Sequence, residues 1–518
     1  MLYSMSEINI NKSSNNRRIA KNTALLYLRQ LLTLGLSLYT SRLTLEVLGE
    51  TDFGIYATVA GFTALLSTLT MSLASGTQRF ITYELGRGDM QKLNRVYCTS
   101  INIHVMLSII LILLGEIFGT WFIFNKMTLP PERIMTAFWV FQFTIFNSVF
   151  ALINSPNNAE IIAHEDMGVL AFLSILDSVL KLVAVFVLFF ITWDHLVLYA
   201  LFLFLIQFLL RTISVFWCKR NYVEAKYHFV YDKFLLKSML AVTGWTGLNN
   251  LAVTGFIQGV NLLLNIFFGP VLNAAYAIAM QAYSGIRQFC SSFQLASNPQ
   301  IVKLYAAGEL EKMQSLLFSV CKLSFFLIFI LALPFIVNAH FVLSIWLKEV
   351  PAHTETFFIL LLIYSFVDVL AYPLDIAAQA TGKLKNYSIT VSSVVLSTLV
   401  FSYIAFSLKA IPESIYIIAI LVSCIGIIVR LLFLKCMIKL DWVLFIKDVI
   451  IRILLVGLLS AALPVILPQF MLNGMKTVIV SFFLSFVISV AMVYFIGLNK
   501  SEKRVIKEMC NKILVKIK

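Results

Sequence analysis

The sequence predicts an all-α polytopic membrane protein of about fourteen transmembrane helices, arranged as two repeated six-helix halves and two further C-terminal helices. Three observations carry that expectation. Hydrophobic residues fill 60% of the 518 positions and charged residues only 13%, a balance that cannot supply a water-facing surface of ordinary make-up. Apolar runs of about 20 residues, enough to cross a hydrocarbon core of about 30 Å, recur along the whole length. The chain also repeats itself. Adding 220 to Gly35, Leu43, Gly49, Tyr56 and Ala57 gives Gly255, Leu263, Gly269, Tyr276 and Ala277, and after a slip of two residues Gly88-Asp89 falls back onto Gly308-Glu309. A duplicated apolar unit is a common transporter plan, with the substrate site at the repeat interface.

Residues 1–21 form a basic tail. The first span is expected over Ala24 to Leu45 and the second over Phe53 to Ser75, followed by a polar link from Thr77 to Arg95. The third covers Val96 to Phe124, and Pro130-Pro131 turns the chain into the fourth, Ile134 to Ile153. Ser155 to Met167 reads as a polar loop. Spans five (Gly168 to Thr192) and six (Leu196 to Cys218) complete the first half, 22–218, and the polar linker 219–238 divides the halves. The second half, 239–436, holds six spans: Met239 to Phe268, Val271 to Ala296, Leu316 to Val337, Thr356 to Ala377, Tyr387 to Leu408 and Ile415 to Leu434. Tyr372-Pro373 is a candidate kink, because proline removes a backbone donor. Two more spans, Val449 to Leu467 and Thr477 to Ile496, fall within 437–498. The tail 499–518 puts Val505, Ile506, Met509, Ile513 and Ile517 on one face, as a helix lying on an anionic inner leaflet would.

An even number of spans leaves both ends on one side. Lys and Arg number 27 in the loops and tails on that side and 5 in the opposite loops, so the positive-inside rule makes both termini cytoplasmic. The same asymmetry absorbs the net charge of +14, and nucleic acid is not expected as a partner. The first apolar run is long enough to span and no cleavage site follows it, so it reads as a membrane helix rather than a cleaved signal.

Catalytic chemistry is not expected. The six histidines are scattered, none at metal-ligand spacing on a shared face with another ligand, and there is no phosphate-binding glycine loop. No metal or cofactor is therefore expected. The seven cysteines lie in spans or near the inner face, which gives no disulfide framework. Asp194, Glu349 and Glu355 read as isolated acids facing water.

Polarity inside the spans is the informative feature, since a charge facing lipid costs roughly 2.5 to 3.5 kcal/mol on insertion scales. Arg42, Arg211, Lys322, Arg430 and Arg452 lie near enough to span ends to snorkel; Arg29, Lys181 and Arg287 are deeper. Arg29, Thr33, Ser37, Thr40 and Thr44 share one face of span one. Asn250, Thr254, Gln258, Asn261 and Asn265 do the same in span seven, as do Ser284, Arg287, Ser291, Gln294 and Asn298 in span eight. Such stripes either glue helices together or line a water-filled cavity, and three of them with two arginines favour the cavity. Asp177 and Lys181, four apart, would pair with each other. Asp177 and Asp368 are the candidates for ion coupling.

The segments Asn22 to Leu48 with Gly54-Ile55-Tyr56, Ile161 to Met167, Phe268-Gly269-Pro270 with Asn273 to Tyr276, Asn298 to Ile301, and Ile345-Trp346-Leu347 carry a resemblance. The chain resembles polysaccharide flippases of the Wzx type, in the superfamily that also holds multidrug and toxic-compound extruders (MATE). The resemblance implies two lobes across a central cavity and the translocation of undecaprenyl-diphosphate-linked oligosaccharide repeat units for a surface polysaccharide such as O-antigen or capsule. It also implies membrane lipids as surroundings and a polysaccharide polymerase or glycosyltransferase as partner. Arg29, Arg287 and Lys181 would then meet the diphosphate. Thr33, Ser37, Asn250, Thr254, Gln258, Asn261, Gln281, Ser284, Gln288 and Gln294 would meet sugar hydroxyls or line the cavity. A MATE-type cation antiporter is the nearest alternative and would favour acids in the cavity. A membrane-embedded glycosyltransferase or polymerase would need a large acidic outer loop, which is missing.

Overall fold

The computed structural model describes residues 30, 32–64, 77–499 and 502–503, apart from 79, 83, 86, 165, 231, 348, 383 and 467–474. Among the described residues all regular structure is helical. Ten helices are long and apolar enough to cross a membrane, which makes this a multi-pass membrane protein. The count of fourteen is not reached within these residues. Expected spans one and two run into 1–29 and 65–76, and the helix of expected span thirteen is described only to Ile466. The helix of expected span eight, 37 residues long, carries the polar stripe and is not one of the ten.

Two compact units divide at Ala274/Ala275. Unit 1 begins with α1 (32–64), whose regular helix is broken at Gly49, where φ is +74°. Next come α2 (Met90–Leu114), a π turn (Gly115–Gly119) and α3 (Thr120–Asn125), which together form expected span three. They are followed by α4 (Ile134–Ala163), α5 (Met167–Leu188), α6 (His195–Asn221), α7 (Lys233–Phe268) and the first residues of α8 (Pro270–Ala306). Carboxylates mark the helix starts: Asp89, Asp194 and Asp232 accept from the first-turn amides of α2, α6 and α7 at 2.9–3.3 Å, where the orphan N–H groups and the helix dipole both favour an anion. The core is α4 against α6, with α2 and α5 beside them, joined by Phe143, Phe146 and Phe150 around Phe204.

One expected loop is helix. α4 continues through Pro156 to Ala163, ten residues past the expected end of span four. Asn157 and Glu160 there are buried, and Asn157 takes the Tyr97 hydroxyl at 2.7 Å, so the polarity of this stretch does not mark a water-facing loop. The contact boundary also falls later than the linker at 219–238. That linker is fastened to α2. Asn94, Cys98 and Asn102, four residues apart on one helical face, bond the backbone of Glu224, Lys226, His228 and Val230.

Unit 2 contains the rest of α8, then α9 (Leu310–Val337), α10 (Ala339–Trp346), α11 (Thr354–Asp368), α12 (Ala371–Ala380), α13 (Lys385–Ser407) and α14 (Ser414–Ile438). It ends with α15 (Trp442–Phe445), a π turn (Ile446–Ile450), α16 (Ile451–Ile466) and α17 (Met475–Met492), which runs into a last π turn (Val493–Gly497). α9 is the inner helix: 61% of its most apolar window is buried, against 22% for α5. Expected span ten is broken into α11 and α12. The break lies at Val369–Leu370, and Pro373 sits in the first turn of α12, where no backbone donor is needed.

The duplication survives in the backbone. Gly49 and Gly269 both have positive φ (74° and 85°), as do Gly88 and Gly308 (72° and 75°), a region that glycine alone enters at no steric cost. Tyr56 packs edge-on against Tyr199 of α6, while its counterpart Tyr276 stacks on Tyr416 of α14.

Candidate substrate-binding residues

In unit 2 the polar stripe of α8 lies at the break between α11 and α12. Arg287, 18% exposed at its side chain, places Nη2 3.5 Å from Asp368 Oδ2 and donates from Nη1 to Gln294 Oε1 at 3.3 Å. Asp368 is the last residue of α11 and also accepts from the Tyr364 hydroxyl at 3.4 Å. Gln294, fully buried, donates to the Val369 carbonyl at 2.8 Å, one of the carbonyls the break leaves without a helical partner. One turn on, Asn298 donates to the Tyr372 hydroxyl at 2.8 Å. Ser284 and Gln288 are exposed and Gln281 is half-buried; the Ser284 hydroxyl donates to the Gln281 carbonyl.

In unit 1 the stripe of α7 divides. Thr254 and Gln258 are half-buried. Asn261 is buried and committed: it donates to the Ala57 carbonyl at 2.9 Å and takes both its own carbonyl's and its side-chain oxygen's bond from Asn273 at 2.6 Å. Asn265 accepts from the Thr128 amide. Asn261 glues helices together, and Asn265 fastens α7 to the loop between α3 and α4. In α1, Thr33 is half-buried, Ser37 exposed, and Thr40 and Thr44 buried. Arg29 and the side chain of Asn250 lie outside the described residues, as does the tail beyond Lys503. Asp177 and Lys181 pair at 2.7 Å, and Gln207 donates to the second Asp177 oxygen at 3.4 Å.

Two cations expected to snorkel do not. Arg430 is buried and binds Asp375 of α12 through Nε at 2.8 Å and Nη2 at 3.4 Å, while Tyr387 donates to the same carboxylate. Lys322, fully buried on α9, meets Glu502 at 3.0 Å and Asp448 at 3.7 Å, and Arg452 pairs with Asp448 at 2.9 Å. Each acid arrives from another helix, so neither cation needs to reach for the surface. Asp194 is likewise no isolated acid: Arg133 bridges it at 2.6 Å to Asp52 at 2.9 Å. Glu355 takes His340 at 3.0 Å.

The expectation that no histidine shares a face with another ligand is also corrected. Because α4 extends to Ala163, Glu160 and His164 stand one turn apart, and the linker adds Glu224, whose Oε1 is 2.6 Å from His164 Nε2. The local spacing Glu160-x-x-x-His164 was available in the sequence; Glu224, sixty residues on, was not.

Residues 19–305, more than half of the chain, match the polysaccharide biosynthesis protein family. The chain belongs to that family. No curated protein matches it. Among solved structures, an inward-facing multidrug resistance MATE family transporter of the MOP superfamily superposes with a TM-score of 0.67 at 16% identity, covering 79% of this chain and 98% of that one. Lipid II flippase MurJ in an inward closed conformation gives 0.67 at 12% identity, covering 91% and 98%. A MOP superfamily transporter from Pyrococcus furiosus gives 0.52 at 16%, covering 81% and 93%. At these identities the likeness is one of fold. Within this polysaccharide biosynthesis protein, two segments that carry the family resemblance meet in unit 1: a Cβ on Gly54 would stand 1.7 Å from the Pro270 carbonyl oxygen, and one on Gly61 2.5 Å from the side chains of Gln258 and Asn261.

Proposed function

We propose that this member of the polysaccharide biosynthesis protein family is a flippase that moves an undecaprenyl-diphosphate-linked oligosaccharide across the inner membrane by alternating access, with both termini cytoplasmic. Membership of the family and the fold shared with MurJ support the reading. The observation that carries it is the loose pairing of Arg287. Its 3.5 Å approach to Asp368 is long against the 2.7–2.9 Å of a charge-assisted hydrogen bond, at a broken helix of the kind that builds transporter sites. A diphosphate offers the planar guanidinium two oxygens at once and would displace Asp368, which would then take up a cation or a proton. Lys181, closely held by Asp177, and Arg29 are secondary candidates for the diphosphate. Thr33, Ser37, Thr254, Gln258, Gln281, Ser284 and Gln288 are candidates for sugar contacts. A glycosyltransferase would supply the cargo and a polymerase would consume it.

The second reading is a cation antiporter. It draws on Asp368 being more exposed than Arg287, 34% against 18%, so that a cationic drug could reach the acid. A deletion strain complemented with variants separates the two, with surface polysaccharide and the inner-leaflet pool of lipid-linked repeat units measured together. Arg287→Gln is expected to abolish export and swell the pool at normal membrane abundance, and Arg287→Lys to keep part of it. Wild-type export by Arg287→Gln would sink the role. Rescue of that variant by Asp368→Asn would show that the arginine serves only to neutralise the acid.

A further inference from the structure

We propose that Glu160, His164 and Glu224 form a binding site for a divalent transition-metal ion such as zinc at the loop-side end of α4. One oxygen of each carboxylate and a ring nitrogen of His164 all lie within 4.8 Å of one another. His164 Nε2 stands 2.6 Å from Glu224 Oε1 and 3.9 Å from Glu160 Oε1. A tetrahedral zinc with bonds of about 2.0–2.2 Å holds its ligands about 3.3–3.6 Å apart, between these two separations, so small side-chain rotations suffice to close around an ion.

Three further features distinguish this trio from a chance cluster of acids. The Glu160 side chain is completely buried, and among the described residues no backbone or basic donor comes within hydrogen-bonding distance of its oxygens, which face the Glu224 carboxyl. A buried carboxylate without a donor is costly, and a cation between Glu160 and Glu224 would satisfy both. The His164 ring is also held in place before any ion arrives. It stacks on Tyr222 with centroids 4.1 Å apart and planes 6° from parallel, and Tyr222 is itself anchored through its hydroxyl to Asp166 at 2.5 Å. Finally, the segment that brings Glu224 is fastened to α2 by Asn94, whose amide donates to the Glu224 carbonyl at 2.6 Å. The ligands are therefore positioned by their surroundings, as ligands of metal sites usually are.

The donor set selects the class of ion. One imidazole with two carboxylates suits zinc and its first-row neighbours, whereas magnesium and calcium favour oxygen-only shells. Three protein ligands leave a fourth position for water. An ion here would join α4 to the linker segment, both within unit 1.

Metal content of the full-length, tag-free protein in detergent tests the proposal: the protein is stripped with a chelator, exposed to zinc and desalted. The expected result is one zinc per chain, undisturbed by a large excess of magnesium. His164→Gln retains a hydrogen-bonding group toward Glu224 and should lower zinc affinity at least about a hundredfold, as should Glu224→Gln. His340→Gln, which removes an exposed histidine beside Glu355 in unit 2, should bind zinc as the wild type does. Wild-type protein that retains no zinc overturns the proposal without recourse to any variant. So does displacement by magnesium, stoichiometric zinc in the His164→Gln, Glu224→Gln double variant, or loss of zinc with His340→Gln.

Discussion

Individual side chains in this protein are best understood through the partner each finds on another helix. Arg430 and Asp375 show the energetics. Breaking a buried ion pair by removing one partner costs roughly 3–5 kcal/mol, and because Asp375 remains 28% exposed the low end applies. Asp375→Asn should therefore destabilise the detergent-solubilised protein by about 3 kcal/mol in an unfolding titration. Arg430→Met alone should cost a similar amount, and the two together less than their sum. Glu224 shows the effect of pH. Burial would raise its carboxyl, but its own backbone amide and the side chains of His164 and Glu160 together outweigh that and hold it below the ordinary value of 4.5. A depressed folded value means that the carboxylate's contribution is complete above 4.5 and fades as the pH falls through the lower one. In metal-free protein, the loss of thermal stability below pH 4.5 should be shallower for Glu224→Gln than for the wild type, and parallel curves would remove the linkage.

At the scale of elements, close approach is set by glycine. Gly54→Ala puts a methyl against the Pro270 carbonyl, 1.7 Å away, where backbone must move, and overpacking of this kind costs about 1–3 kcal/mol. Gly35→Ala meets nothing within 4 Å and should leave the unfolding midpoint unchanged or slightly raised. Equal effects would mean that α1 does not depend on that contact. Helix positions were legible in the sequence because a hydrocarbon core demands long apolar runs, and the repeat was legible because Gly49 and Gly269 need a conformation other residues avoid. The extension of α4 was not legible, since Ser155 to Ala163 is polar and only the packing of α2 and α6 shows that this polarity is turned inward. For the same reason sequence alone does not single out Asp368 as the partner of Arg287 or Glu502 as that of Lys322: side chains 81 and 180 residues apart leave no local trace. The stripe of α7 divided for a related cause. A face of amides looks the same in sequence whether it meets water or, as at Asn261, a neighbouring backbone.

For the whole molecule, the uneven distribution of Lys and Arg predicts the orientation. A reporter active only in the cytoplasm should work when fused within Thr77 to Arg95 or after Lys500, and one active only outside should work within Asn338 to Glu355. Cytoplasmic activity at Trp346 would refute the fourteen-span arrangement. The division at Ala274/Ala275 has a consequence for biosynthesis. The first compact unit includes α7 and the opening turn of α8, which carry Asn261 and Pro270, the partners of Ala57 and Gly54. A ribosome adding about 5–20 residues per second will have released six helices of that unit several seconds before the seventh is made. For that interval the Ala57 carbonyl and the surface at Gly61 lack the Asn261 and Gln258 side chains that later cover them, and the insertion machinery or lipid must shelter them until translation of the second half is under way.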